Sequence, residues 1–313
     1  MQRVVTDFGA DEAFAKVLAK LKEHYGITIP SHAPRTITEK HAQKIREMEI
    51  LQDEYPEGNG SATIVVEADG SMIPIVRIAE KPQDEQPSDG RKRREVGWEE
   101  ARLMLAHKQG SVTPKFGATM GSVDDAGDHM LNCAILAGGG EKSKIHCIGD
   151  GATWINDQVI RVFPEQGNYL VDFYHISEYL GAAAVVCSPN DIKTWLADQQ
   201  EQMKKGNLSG VLEAMAGHTE ADSIKDTNAP VRKCLRYINN RPGQFDYKSA
   251  IEADLPIGSG EIESGHRYVI QKRIKLPGAW WKKENADNML ALRTLRENGA
   301  WDEYWVQNVK RAA

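Results

Sequence analysis

The chain has 313 residues, 41% hydrophobic and 27% charged, and a formal net charge of -6. This is an ordinary globular profile with enough apolar residues for a sizeable core in two or three folding units. The acidity counts mildly against a nucleic-acid protein, which is usually basic, yet cations cluster at Arg91 to Arg94, Lys204–Lys205 and Arg267 to Lys283.

Residues Ala10 to His24 are predicted to be helical. Phe14, Val17, Leu18 and Leu21 recur at i, i+3, i+4 and i+7, and Gly26 supplies a stop. A short "GITIP" link leads to a second helix over Arg35 to Leu51, so the two form either a helix-turn-helix or a plain packing pair. "YPEGNG" is a turn cluster and a boundary. In "SATIVVEADGSMIPIVRIAEK", Ile64, Val65 and Val66 form a buried strand. Asp69–Gly70 reads as a hairpin turn, and Ile73, Ile75 and Ile78 continue an extended run. "PQDEQPSDGRKRREVGW" reads as a polar, mobile connection.

Ser122 to Ala137 reads as a helix closed by Gly138, Gly139 and Gly140. "KIHCIGDGATWI" is a buried strand entering a turn, and "YLVDFYHISEYLGAAAVV" is a strand passing into a helix. From Pro189 to Ile251 the pattern is helical without β-branched runs, is divided at Gly206, Gly210 and Gly217, and is expected to project from the core. The C-terminal block is one long helical pattern interrupted at Pro277–Gly278. Strands alternating with helices predict an α/β core with a helical insertion.

No apolar run approaches the roughly 18 residues of a membrane span, and "MQRVVTDFGADEAF" lacks a signal-peptide core. Cys133, Cys147, Cys187 and Cys234 contain no C-x-x-C pair, which argues against a zinc knuckle or a disulfide framework and fits a reducing cytosol.

Asp150 follows a strand directly, where open α/β sheets place their active sites. Asp69 has the same context. Either Asp-Gly alone reads more readily as a plain turn. Two of them with a glutamate on a late helix form the oxygen-ligand set that two-metal phosphoryl transfer requires. That helix offers Glu261 and Glu263, which differ by about 200° at 3.6 residues per turn, so only one can face the site. Ile262, Val269 and Ile270 mark the packed stripe, and Glu263 lies at its edge. Glu261 falls on the outer face, as a first-turn acid stabilised by the helix dipole.

"IGDGATWI", "VDFYHISEYL", "LPIGSGEIES…QKRIK" and "MLALRTLRENGAWDEYW" resemble, in order, the motifs of bacterial insertion-sequence transposases of the ISKra4 group. That group belongs to the DDE class and is akin to the ISL3, IS256 and Mutator-like enzymes. The likeness runs from about residue 60 to 310. It implies an α/β fold, an RNase H-like mixed sheet flanked by helices, with an all-α insertion and a small N-terminal helical segment. The implied units are residues 1–58 (helical, DNA-binding), 59–180 (first part of the catalytic core), 181–251 (insertion) and 252–313 (the core's C-terminal helices).

The resemblance implies that Asp69, Asp150 and Glu263 are catalytic metal ligands, with His175 beside the scissile phosphate or the strand end. "DFYH", Asp172 to His175, matches a supporting signature of the relatives. A rival assignment makes Asp172 the second ligand in place of Asp69. The implied cofactor is two Mg²⁺ ions, with Mn²⁺ able to substitute. The implied partner is double-stranded DNA, as transposon ends and target, bound by a homo-oligomer at the bacterial nucleoid and not at a membrane.

Arg267, Lys272, Arg273 and Lys275 would hold phosphates and offset the carboxylates, the alternative being a solvated basic face. Trp280 and Trp281 would stack on a frayed base or pack the helix. Longer relatives carry further N-terminal sequence, some of it zinc-finger-like, whereas here no cysteine precedes Cys133. Recognition of the ends is therefore expected to be reduced or supplied by another chain. Two other functions remain open: a transposase-derived DNA-binding regulator without catalysis, and a structure-specific nuclease on the same fold.

Overall fold

A computed structural model describes residues 1–78 and 94–310. Of the polar connection predicted over residues 82–98, residues 82–93, with Arg91, Lys92 and Arg93, lie outside the described residues, and Arg94 to Trp98 are instead the start of a strand paired with the one before it.

Three helices open the chain: α1 (Gln2–Asp11), α2 (Phe14–Tyr25) and α3 (Ala33–Met48). Sequence periodicity located α2 and its Gly26 stop, where φ is 65°, but began the helix too early and missed α1. The "VVT" of α1 is a weak helix former, and packing decides its conformation. Val5 is buried, and Gly9 lies so close to α3 that a Cβ there would meet Thr38 Oγ1 at 2.1 Å. The link from Gly26 to His32 is longer than the tight turn of a helix-turn-helix.

A five-stranded mixed sheet follows, in the order β3-β2-β1-β4-β5. β1 (Thr63–Ile78), β2 (Arg94–Lys108) and β3 (Lys115–Thr119) are antiparallel neighbours. β4 (Lys144–Gly149) and β5 (Gly167–Val171) run parallel to β1. α4 (Val123–Leu136) and α5 (Thr153–Val162) provide the crossovers. This is the RNase H-like arrangement, an α/β fold with its mixed sheet between helices. α4 begins at Ser122, whose hydroxyl forms a capping box with Asp125.

The two Asp-Gly pairs behave differently. Gly151 has φ 82° and makes the turn after β4. Gly70 instead continues β1 without a break, pairing with Arg102 of β2, so the predicted hairpin turn at Asp69–Gly70 is incorrect. A Cβ on Gly70 would stand 2.3 Å from Glu100 Oε1, the tip of a flexible side chain that can move aside.

α6 (Phe173–Cys187) leaves β5 and is followed by α7 (Ile192–Lys204), α8 (Leu208–Ala216), α9 (Pro230–Asn239) and α10 (Tyr247–Glu252). This all-α segment does not project freely. Met203, Val211, Met215, Cys234 and Tyr247 belong to the same buried cluster as the sheet residues Ile64, Val66, Cys147 and Leu170. Gly206 and Gly217 do end helices, but Gly210 lies within α8. The segment also covers the edge of β5, where Val171 N–H donates to the Gln244 carbonyl at 2.9 Å.

The C-terminal pattern breaks twice. α11 (Gly260–Gly265) passes through a π-helical stretch (His266–Gln271) into α12 (Lys272–Ile274). A Leu276–Ala279 turn with Pro277 second and Gly278 third, φ 76°, stops it. α13 (Lys283–Glu297) then packs on the other sheet face from α4, and Gly299 separates it from α14 (Trp301–Lys310). No helix among the described residues is long and apolar enough to cross a membrane.

The N-terminal helices are part of this body. Buried His41 of α3 bonds Tyr304 Oη through Nδ1 at 2.6 Å and Gln2 Oε1 through Nε2 at 2.7 Å. Burial first, then the charges of Lys40 and Lys44, push its pKa from 6.5 down to about 4. The folded state therefore binds fewer protons than the unfolded one between those values, and stability falls as pH drops from 6.5 towards 4. The slope from this group is at most about 1.4 kcal/mol per pH unit. His129, buried in α4, is also pushed down to about 4. His41→Gln is therefore expected to flatten part of the acid slope of the melting temperature. An unchanged slope would remove His41 as its source.

Candidate active site

Asp69, Asp150 and Glu263 come from three different elements and line one cleft of about 270 Å³. The strand pairing explains the first two. β4 pairs with β1 only from Thr63↔Lys144 to Glu67↔Ile148. Asp69 and Asp150 lie two residues beyond that last pair on neighbouring strands. Further along, β1 regains a neighbour where Trp281 bonds the Pro74 carbonyl and the Val76 N–H. The cleft thus opens where the edge of β1 has neither β4 nor Trp281 beside it.

Asp69 Oδ1 accepts from the Gly70 N–H at 2.7 Å, and its Oδ2 stands 3.0 Å from Nε2 of buried His266. Asp150 Oδ1 accepts from the Ala152 N–H at 2.8 Å, and its carbonyl accepts from Tyr237 Oη at 2.7 Å. Glu263 is exposed in the first turn of α11 and lines the same cleft. Glu261 faces away, its Oε2 lying 3.3 Å from His107 Nε2 on β2. It therefore has a side-chain partner besides the helix terminus. The expectation that Glu261 lies on the outer face and Glu263 at the inner edge is corrected: Glu261 is half-buried against β2, Glu263 is exposed in the cleft, and the π-helical stretch shifts the phase of Val269 and Ile270 relative to both.

Asp172 also lines the cleft, but both its oxygens are occupied. Oδ1 accepts from the Tyr174 N–H at 2.6 Å and the His175 N–H at 3.1 Å, capping α6. Oδ2 accepts from the Ser259 N–H at 2.6 Å and from the Ser259 hydroxyl. It clamps the loop before α11, a positioning role that fits a ligand poorly. His175 borders the cleft, with its ring 5.5 Å from that of Tyr179 and 5.8 Å from that of Tyr237.

The predicted cations divide. Lys275 is half-buried, and its Nζ donates to Ser71 Oγ at 2.6 Å, two residues from Asp69. Burial pushes its pKa down, opposed by the negative charge of Asp69. Arg267 is exposed on the outer face of the π-helical stretch. Lys272 is exposed and lies 3.5 Å from Asp11. Arg273 is a correction: it is 2% exposed, with Nε donating to the Gly9 carbonyl at 2.9 Å, and cannot reach a DNA backbone on the surface. Its position was readable, four residues after Val269 and three after Ile270 on the packed stripe. Trp281 is buried, whereas Trp280 is exposed and edge-on to exposed Trp98, centroids 6.3 Å apart.

Sequence reasoning missed three groups. Glu178 and Tyr174 line the cleft from α6; the i, i+3 spacing of His175 and Glu178 was the available signal. Glu67, on the same face of β1 as Asp69, is buried, and its Oε2 accepts from the Ile262 N–H at 2.7 Å, fixing the first turn of α11. Burial pushes its carboxyl up to about 8, the Ile262 N–H opposes this, and the charges of Glu261 and Asp172 reinforce it. Nothing local in the sequence marks Glu67, because its partner is far along the chain.

A profile of an uncharacterised protein family, UPF0236, matches residues 139–311, more than half of the chain. The chain belongs to the UPF0236 family. The segment shared with UPF0236 includes Asp150, Asp172, His175, Glu263 and Lys275; Asp69 lies outside it. No curated protein matches the chain significantly. Among solved structures, this UPF0236 protein aligns with one described as "Crystal structure of NurA" at 13% identity, covering 91% of this chain and 64% of that one. The TM-score is 0.12, too low to carry an argument.

The donors facing the cleft are carboxylate oxygens, the chemistry a hard divalent cation prefers. No three His, Cys, Asp or Glu side chains among the described residues are already gathered as an ion's ligand set. Asp69, Asp150 and Glu263 thus share one cleft without being gathered as an ion's ligand set.

Proposed function

We propose that the protein is a DDE-class transposase, nearest in kind to the ISKra4 group, that cleaves and joins DNA strands at insertion-sequence ends. The observation that carries this reading is the common cleft of Asp69, Asp150 and Glu263 on an RNase H-like sheet. Those residues would hold two Mg²⁺ ions, or Mn²⁺ in their place. When bound, the ions lower the pKa of an attacking water or 3′-hydroxyl and stabilise the leaving 3′-oxygen.

The chain's own groups do the rest. Asp172 and Glu67 fix the loop and the first turn that carry Glu263, so its carboxylate needs little reorganisation. Lys275, held by Ser71 beside Asp69, offers an ammonium to a phosphate entering the cleft. Arg267, one turn beyond Glu263, extends that cationic rim, and Lys272 adds to it. Without such cations the acidic cleft would repel DNA. His175 on the α6 wall is placed to contact the scissile phosphate or the strand end. The working form is a homo-oligomer holding transposon ends and target DNA at the nucleoid.

The test is incubation of the purified protein with labelled duplexes from the DNA flanking its own reading frame, with Mg²⁺, Mn²⁺ or chelator. Metal-dependent cleavage with joined product is expected. Cleavage without joining would make it a nuclease, and binding without cleavage a regulator.

A further inference from the structure

A second groove, of about 320 Å³, lies between the N-terminal helices and the Pro277–Lys282 loop, apart from the carboxylate cleft. At its floor is Arg273, whose guanidinium lies 4.5 Å from the ring centroid of Phe14 and 4.7 Å from that of Trp281. Its Nε donates to the Gly9 carbonyl, while neither Nη is a buried atom without a partner, so the Nη edge is open to water in the groove. A ligand with acceptors can replace that water at the guanidinium. On the wall, Glu39 Oε1 accepts from Arg35 Nε at 3.0 Å and from Asn285 Nδ2 at 2.9 Å, leaving Oε2 without a bond. At the rim Trp280 is 45% exposed.

Water-facing donors, an unused carboxylate oxygen and an exposed indole face together select the ligand. A bare phosphate would suit Arg273 but would be repelled by Glu39 and would leave Trp280 unused. A flat heterocycle with acceptors on one edge and N–H groups on another uses all three. Among nucleobases, guanine presents O6 and N7 side by side, the pair that a guanidinium meets bidentately, and N–H groups for a carboxylate.

We propose that this groove takes an unpaired guanine of a DNA strand, stacked on Trp280, bonded by Arg273 and accepted by Glu39. The proposal rests on the DNA-processing reading above. Its location fits: Leu276 lines the groove and directly follows Lys275, which reaches Ser71 beside Asp69.

Binding without metal tests the groove independently of catalysis. The full chain is titrated, in chelator, with fluorescent duplexes bearing a short overhang that carries guanine, adenine or an abasic site at one position. The guanine overhang should bind about tenfold more tightly than the abasic one. Trp280→Ala should erase most of that difference without changing the thermal melt. Glu39→Gln should narrow the preference for guanine over adenine. Equal affinity for guanine and abasic overhangs, a preference that survives Trp280→Ala, or no DNA binding at all overturns the proposal. A guanine preference in a protein that never cleaves DNA would keep the groove and sink the transposase reading alone.

Discussion

Glu263→Gln is expected to reduce metal-dependent DNA cleavage by at least about 100-fold, because even groups behind a metal's direct ligands cost 10–100-fold when removed. The amide keeps the size of the side chain and loses the anionic oxygen that a hard cation prefers. DNA binding without metal should persist, since Arg267 and Lys275 are untouched. Glu261→Gln carries the same change of charge two residues away. Its carboxylate reaches His107 on β2 and not the cleft, so most of the activity should remain. The helix should lose no more than about 1 kcal/mol of dipole stabilisation. The measurement is the cleavage rate of each variant at matched concentration and matched DNA occupancy. A dead Glu261→Gln beside an active Glu263→Gln would reverse the assignment of the helix face and move the site with it.

The second large effect concerns stability and falls far from any DNA. Arg293 of α13 is 1% exposed. Its Nε donates to the Val269 carbonyl at 2.7 Å, its Nη2 to the Tyr268 carbonyl, and its Nη1 to the Ala10 carbonyl and, at 2.8 Å, to Asp11 Oδ1. Val269 and Tyr268 lie in the π-helical stretch, whose altered hydrogen bonding makes such outside partners valuable. One side chain thus joins α13, the helix bearing Glu263 and the end of α1. Arg293→Ala would strand two buried carbonyls, those of Val269 and Ala10, and leave Asp11 without its closest cation, at a cost of about 3–5 kcal/mol, roughly a 10 °C fall in Tm for a chain of this size. Arg296→Ala is the control. Arg296 is more exposed and pairs with Asp7 at 2.9 Å and Asp11 at 3.0 Å, so its loss should cost about 1 kcal/mol or less. Equal losses in the two variants would show that the buried hydrogen bonds of Arg293 add nothing beyond its charge.

The position of Glu263 depends on several supports of this kind. Asp172 holds Ser259, Glu67 holds the Ile262 N–H, and Arg293 holds the Tyr268 and Val269 carbonyls about two turns further on. Each lies on a different element, and together they over-determine the entry to α11. A carboxylate that is to meet a metal ion at a fixed distance from two others benefits from such support, because a small misplacement forfeits much of the positioning advantage.

Much of this was legible in the sequence where the cause is local. The capping box Ser122–Asp125 places the start of α4, the apolar runs place β4 and β5, and Gly26 and Gly278 stop their helices through backbone conformations that other residues resist. The spacing of Glu261 and Glu263 put them on different faces of α11, but the stripe of Ile262, Val269 and Ile270 misjudged which of them lies against the sheet, because a π-helical turn intervenes. The same stripe contained Arg273, where charge alone misled. Tertiary structure decided the rest. Asp69–Gly70 has the local chemistry of a turn, yet pairing with β2 over the length of β1 keeps it extended, because a continuous ladder outweighs the preference of one dipeptide. α1 forms because α3 offers a surface for Val5 and Gly9. Glu67 matters through Ile262 and Arg293 through Ala10 and Val269, partners far away in the chain that only the fold brings within hydrogen-bonding distance.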